Sequence, residues 1–285
     1  MTPGRKYQSD ALRPVAADLR RLERPLGVKL EEVIGWGGSG FVATTAVPDL
    51  VVKITVDDDE CAMWTQIQAR GKTDKSVRKG FPTVTRVAHL RGAGIPPKTC
   101  GILREACDPL VVKREIDGKE RVVYSSRTER WIGGDSRKQD ELQRCEHILL
   151  AYRSTASLVN DRRRTTQPAT RSYATKRITP SGPRTGAARG LPERSGVSAP
   201  RESDESRIER MDENLDALIE TPFQSVALAL FALMDDDLIV ADTHIGNFGW
   251  KLDSDEIVLF DPGWSPVLYY DEIETILVPN RRVLR

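Results

Sequence analysis

The chain has 285 residues, 39% hydrophobic and 30% charged, with a net charge of +1, a size that suits one large domain or two modest lobes. No apolar run approaches the ~18 residues of a membrane span, and MTPGRKYQSDALRPV lacks the apolar centre of a signal peptide. A cytoplasmic protein without a membrane partner is therefore expected. The charge is uneven: residues 151–210 hold 13 Arg/Lys against 6 Asp/Glu, which leaves the rest of the chain acidic. Cys61, Cys100, Cys107 and Cys145 form no C-x-x-C pair and read as reduced, partly buried thiols. His89, His147 and His244 are too few and too scattered for a histidine metal site.

Leu12, Val15, Leu19 and Leu22 recur at helical spacing and predict a helix over 8–23. VKLEEVIGWGGSGFVATTA reads as strand, glycine turn and strand, and DLVVKIT as a third strand rich in β-branched residues. DDDECAMWTQIQAR opens with acidic residues, which favour a helix start. GILREA is a short apolar run, and PLVVKREIDGKERVVYSS reads as a hairpin turning at Asp117-Gly118. RKQDELQRCEHILLAY reads as a helix. From 153 to 207 the composition turns to Arg, Ser, Thr, Pro and Gly, with little to bury, and predicts a disordered basic insertion. Order is expected to return near 208. Thr221 and Pro222 are placed to start a helix whose Phe223, Val226, Leu230 and Leu233 share one face. LIV (238–240), NFGWKL and EIVLF then read as three strands, the last two joined at a DSD turn. The expected class is α+β.

Three oxygen-bearing side chains end these last apolar runs: Asp242, Asn247 and Asp261. If NFGWKL and EIVLF pair, Asp261 returns beside Asn247, with Asp242 across the intervening loop. Asn plus Asp suits a hard cation such as Mg²⁺, and a further carboxylate beside a metal–phosphate centre suits acceptance of a hydroxyl proton. Singly, each is also an ordinary turn or capping residue. GWGGSGFV places Gly35, Gly37 and Gly40 in the pattern G-x-G-x-x-G, with Gly38 inside it and Val42 just after. Alone that pattern is weak. A dinucleotide fingerprint would open a helix, whereas a strand follows here, so the loop is expected to cover a nucleotide's phosphates from between two strands. Lys53 alternates with Val52 and Ile54, so it should face away from them. With a phosphate-covering loop one strand earlier it reads as a phosphate-binding ammonium, and Glu60 is the carboxylate expected to position it. Asp57, Asp58 and Asp59 compete for that role.

In this order, GWGGSGFV, VVKI, Glu60, ADTHIGN and LFDPG resemble the protein-kinase-like superfamily, which includes eukaryotic-type kinases and aminoglycoside phosphotransferases. The resemblance covers roughly residues 28–107 and 212–264. It implies a two-lobed fold, with a helical extension over 1–27, a β-rich N-lobe over 28–107 and a following hairpin and helix over 108–152. The basic insertion over 153–207 and a small helical C-lobe over 208–285 complete it. It implies ATP and Mg²⁺, Asp242 as catalytic base, Asn247 and Asp261 as metal ligands, and Lys53 with Glu60 as the phosphate-binding pair. Glu105 and Cys107 would offer backbone groups to adenine.

The sequence also departs from that pattern. Ala241 replaces the Arg that often precedes the base, Asp-Pro-Gly stands for Asp-Phe-Gly, and only 24 residues follow Asp261. A small second lobe is expected, with the acceptor held partly by the insertion, a second subunit or a partner protein. The acceptor is expected to be a hydroxyl, with a Ser/Thr protein (this chain included) slightly favoured. A small-molecule acceptor and a catalytically inactive nucleotide-binding regulatory module are the alternatives. Nucleic-acid binding by the insertion is disfavoured, because Tyr173 is its only aromatic residue in the basic stretch.

Overall fold

A computed structural model describes residues 9–166 and 203–262, with side chains described over 10–160 and 203–262. The N-terminal segment is a 3-10 turn, Ser9–Leu12, followed by α1 (Arg13–Ala16) and α2 (Arg20–Leu26). The single helix expected over 8–23 is thus broken. Pro14 sits at the start of α1, where its missing N–H costs nothing, and around Asp18 the backbone bonds run three residues back rather than four. Leu12, Val15 and Leu22 are nevertheless buried and Leu19 half-buried, as their spacing requires.

Five antiparallel strands follow in the order β1-β2-β3-β5-β4. They are β1 (Leu30–Trp36), β2 (Gly40–Thr45), β3 (Leu50–Thr55), β4 (Val84–His89) and β5 (Cys100–Glu105). Val52 and Ile54 of β3 pack with Leu103 of β5 against α1 and α2. The intervening residues face the other way, towards α3 (Asp58–Arg70), whose Met63, Trp64 and Ile67 lie in a second core. Asp57 caps α3 by accepting from the amides of Asp59 and Glu60. The short helix α4 (Lys75–Gly80) and strand β4 were not expected; Asp74 caps α4 through the amides of Ser76 and Val77. Glycine at 40 is dictated by packing, since a Cβ there would lie 1.9 Å from the carbonyl oxygen of Ile54.

The chain leaves the sheet through β6 (Cys107–Pro109). It forms the hairpin β7 (Val111–Ile116) and β8 (Lys119–Tyr124), then enters α5 (Ser126–Ile132) and α6 (Ser136–Thr166). The hairpin turns at Asp117 and Gly118, both with positive φ, as the Asp-Gly pair predicts. After α7 (Asp204–Asp216) and α8 (Gln224–Met234) come β9 (Phe248–Lys251) and β10 (Ile257–Leu259). β9 and β10 join β6 in a three-stranded antiparallel sheet. Phe223, Val226, Leu230 and Leu233 are fully buried, each worth roughly 1.5–3 kcal/mol of transfer free energy. Thr221 supports the helix start differently from expectation. Its hydroxyl accepts from the Phe223 amide and donates to Leu218 O, and α8 begins at Gln224, two residues after Pro222.

Three sequence readings need correction. LIV (238–240) forms no strand; the segment is held by bonds from α6 instead. The chain is helical to Thr166, so the insertion does not begin at 153: the stripe Leu142, Cys145, Leu149, Tyr152 simply continues through Ala156 and Val159, all buried. Residues 204–207 already belong to α7, and the remainder of the expected insertion, 167–202, lies outside the described residues, as do 263–285. Cys61 and Cys100 are not reduced but joined in a disulfide. No spacing rule reveals such a bridge, because α3 and β5 meet only in the folded chain. Cys107 and Cys145 are free thiols. Among the described residues no helix is long and apolar enough to cross a membrane.

The bridge spans a sequence separation of 39 residues, for which loop-closure entropy gives about 4 kcal/mol of stabilisation. Peptide mapping without reductant should recover a Cys61–Cys100 linked pair, and urea unfolding with reductant should show a loss of stability of up to that size.

Candidate active site

The centre of the site is the Lys53 ammonium. Its position on β3 puts it on the face opposite Val52 and Ile54, where Nζ lies 2.6 Å from Glu60 Oε1 and 2.6 Å from Asp261 Oδ1. The contact with Asp261 is a directed hydrogen bond, whereas Glu60 meets the ammonium as a charge contact. Lys53 is 9% exposed and Glu60 1%, so both charges are held away from water. Burial alone would lower the Lys53 pKa, but Asp261 and Glu60 together overcome it and raise it. Asp261 responds in the opposite sense. Burial would raise it, yet the Lys53 ammonium, helped by Arg104 and His244, holds its carboxyl below the usual range. Glu60 is pushed up, because desolvation outweighs the attraction of Lys53 and Asp261 adds repulsion.

Asp261 reaches Lys53 because β10 pairs with β9 and returns the chain: the amides of Phe260 and Asp261 both donate to Asn247 O, at 2.9 and 3.3 Å. Asn247 ends a 3-10 turn (Ile245–Asn247), and its Nδ2 donates to Asp242 O at 2.9 Å. The hairpin return inferred from the DSD turn thus brings Asp242, Asn247 and Asp261 together. With the side-chain nitrogen of Asn247 committed to Asp242 O, its Oδ1 is left as an acceptor, and Asp261 keeps Oδ2 beyond the Lys53 contact. Two hard oxygens suit Mg²⁺, which takes few protein ligands and completes its shell with water and phosphate. Among the described residues there is no cluster of three or more His, Cys, Asp or Glu suited to a metal.

Asp242 faces a guanidinium from α6 and an imidazole from its own loop. Oδ1 is fully buried, 3.1 Å from Arg153 Nη2 and 3.8 Å from His244 Nε2, with neither aligned as a hydrogen bond. Burial raises the Asp242 pKa, with His244 and Arg153 pulling it back and Asp261 adding to the rise. His244 accepts from the Gly246 amide at Nδ1, 3.1 Å away, which leaves the Nε2 proton facing Asp242; burial lowers the His244 pKa. Arg153 carried no sequence signal, since it opens the stretch read as disordered.

The glycine turn sits between β1 and β2, closed by a bond from the Gly37 amide to Gly40 O. Gly35 and Gly38 border open space, unlike the sterically required Gly40. Val42 is the cross-strand partner of both Gly35 and Lys53, so these three share a face. Glu105 and Cys107, expected beside adenine, have backbone groups set by the sheets. The Glu105 amide donates to Thr83 O and its carbonyl accepts from Arg104 Nη1, so Glu105 has no free backbone donor. Cys107 lies on β6, paired with Lys251 of β9. Arg104, 4% exposed and passed over by sequence reasoning, lies over the rings of Trp64 and Phe260 with its Nε unpartnered.

No known protein family, curated protein or solved structure matches the chain.

Two measurements follow from this electrostatics. Lys53→Met leaves two carboxylates facing each other without their cation, and breaking a buried pair typically costs about 3–5 kcal/mol. Urea unfolding should show a loss of that order, with Lys53→Met/Glu60→Leu recovering part of it. The Cys107 thiol is pushed up to about 11, chiefly by burial, against attraction from Arg104. At pH 8 only about one thiol in a thousand is then ionised, so alkylation by iodoacetamide should be slow and should accelerate as pH rises towards 11.

Proposed function

We propose that the chain is an ATP- and Mg²⁺-dependent phosphotransferase of protein-kinase-like, two-lobed fold that moves the γ-phosphoryl group to a hydroxyl. The observation that carries this reading is the single ammonium of Lys53, 2.6 Å from both Glu60 and Asp261, with Asn247 bonded to the Asp261 amide through its carbonyl and to Asp242 O through its side chain. Two stretches of chain, with Lys53 and Asp261 208 positions apart, deliver these groups, and core packing alone gives no reason to bury an ammonium between two carboxylates.

An ammonium has three donors. Glu60 and Asp261 engage Lys53 on two sides and leave a donor for a phosphate oxygen. The β1–β2 turn, with open space at Gly35 and Gly38, suits close approach of backbone amides to the triphosphate. Asn247 Oδ1 and Asp261 Oδ2 would hold the Mg²⁺, which when bound offsets the charge of the phosphates. Asp242 accepts the proton of the acceptor hydroxyl while its oxygen bonds to the γ-phosphorus and the bond to the bridging oxygen breaks, so that ADP leaves. The raised pKa of Asp242 favours the acceptance of that proton. Positioning and electrostatics supply most of such catalysis. A Ser/Thr protein, this chain among the candidates, is the favoured acceptor, because the segment 153–207 is rich in Ser and Thr beside Arg.

The two carboxylates should separate binding from chemistry. Asp261→Ala should weaken Mg·ATP binding and abolish transfer in a protein that still folds. Asp242→Asn should bind Mg·ATP nearly as the parent does while transfer falls by roughly 100- to 10,000-fold. Calorimetry with Mg·ATP and mass spectrometry after incubation with labelled ATP read the two quantities. Binding without transfer in the parent would make the chain a nucleotide-binding regulatory module, and no binding at all would refute the assignment.

A further inference from the structure

The segment 239–244 carries Asp242 yet belongs to no helix or strand, so its shape is borrowed from what it touches. Two bonds fix it to α6. Asn160 Nδ2 donates to Ile239 O at 3.1 Å, and Thr243 Oγ1 donates to Leu149 O at 3.1 Å. Arg153 lies between these anchors on the same helix, one turn beyond Leu149 and two turns before Asn160, and meets Asp242 Oδ1 at 3.1 Å. Side-chain exposure is 13% for Arg153 and 15% for Asp242, so neither is a mobile surface group. The groups facing Asp242 are Arg153 from α6, His244 and Asn247 from its own loop, and Asp261 from beyond β10. The residue before Asp242 is Ala241, so the loop itself provides no cation on that side.

We infer that Arg153 is a positioning residue for the catalytic carboxylate, holding Asp242 Oδ1 on its buried side so that Oδ2 is turned to the acceptor hydroxyl. This rests on the phosphotransfer reading and deepens it. The guanidinium touches no reacting atom. It restricts the carboxylate to one orientation, and a carboxylate free to rotate away loses the alignment on which in-line transfer depends. Arginine suits the task because its charge is permanent and the contact, from Nη2 to Oδ1, is an ion pair, whereas a lysine ammonium is a shorter-reaching point charge. Helix α6 thereby has two functions: its apolar stripe seals the core, and a single polar position on the neighbouring face aims the base.

The test uses the full chain with labelled Mg·ATP, following label on the protein and label released as phosphate. Arg153→Met should lower kcat by about 100-fold while the KM for ATP stays near the parental value, since misplacement of a reacting group by about an ångström costs that much. Arg153→Lys should recover part of the loss, and millimolar guanidinium ion, far below denaturing levels, should recover part of it in Arg153→Ala. In an Asp242→Asn background Arg153→Met should cost nothing further, because the group it orients is already disabled. A merely structural arginine would instead lower stability and ATP affinity together, show no guanidinium rescue and add its cost to that of Asp242→Asn; that pattern overturns the inference. If Arg153→Met does not fold, Arg153→Lys carries the comparison, with a reduced kcat at unchanged KM expected and a parental kcat overturning the role. An active parent with near-parental Arg153 variants removes the positioning role and leaves the phosphotransfer reading standing. An inactive parent removes both.

Discussion

One buried cation organises this molecule. Lys53 lies on the central strand of a five-stranded sheet, yet its two partners come from a helix and from a hairpin 208 residues away in sequence. A lone ammonium at 9% exposure would be driven to lose its proton, and two adjacent carboxylates without it would repel. Each group is tolerable only because the others are present. The placement of α3 against the sheet, and of the segment after β10 against β3, is therefore coupled to the charge state of one site. The Cys61–Cys100 bridge reinforces that arrangement, since Cys61 follows Glu60 in α3 and Cys100 opposes Thr55 at the end of β3.

The carboxylates of the site have the same chemistry and opposite environments. Asp261 is held below the ordinary carboxylate range by a contact with Lys53, whereas Asp242 is pushed up by burial that Arg153 and His244 only partly offset. Such divergence leaves one carboxylate that keeps its charge more readily and one that holds a proton more readily. The difference arises from neighbours supplied by separate elements: β3 beside Asp261, α6 beside Asp242.

Helix α6 explains how an irregular segment can be precise. Residues 239–244 make no ladder bonds, but their backbone is tied to α6 on both sides of Asp242. A helix packed along one face is a rigid template, because its stripe from Leu142 to Val159 is buried throughout. The loop inherits that rigidity without being regular itself, which is how many binding loops are held.

Much of this was legible in the linear chain. Strand alternation placed Lys53 opposite Val52 and Ile54, the Asp-Gly pair located the β7–β8 turn, and the spacing of Asp242, Asn247 and Asp261 announced a convergent oxygen site. These features follow from local rules: period two in strands, positive φ at a tight turn, return of a hairpin. What the local rules did not contain were the partners. Arg153 was hidden because its neighbours are polar, although Ala156 and Val159 continue the helical stripe. The Cys61–Cys100 bridge and the commitment of the Glu105 amide to Thr83 were hidden because α3, β4 and β5 meet only after the sheet has formed. Sequence by itself determined the carboxylates, the amide and the ammonium of the site, but not the arginines beside them. The tertiary structure decided which of them face one another, because contact between residues a hundred or two hundred positions apart is set by packing of whole elements and leaves no periodic trace in the chain.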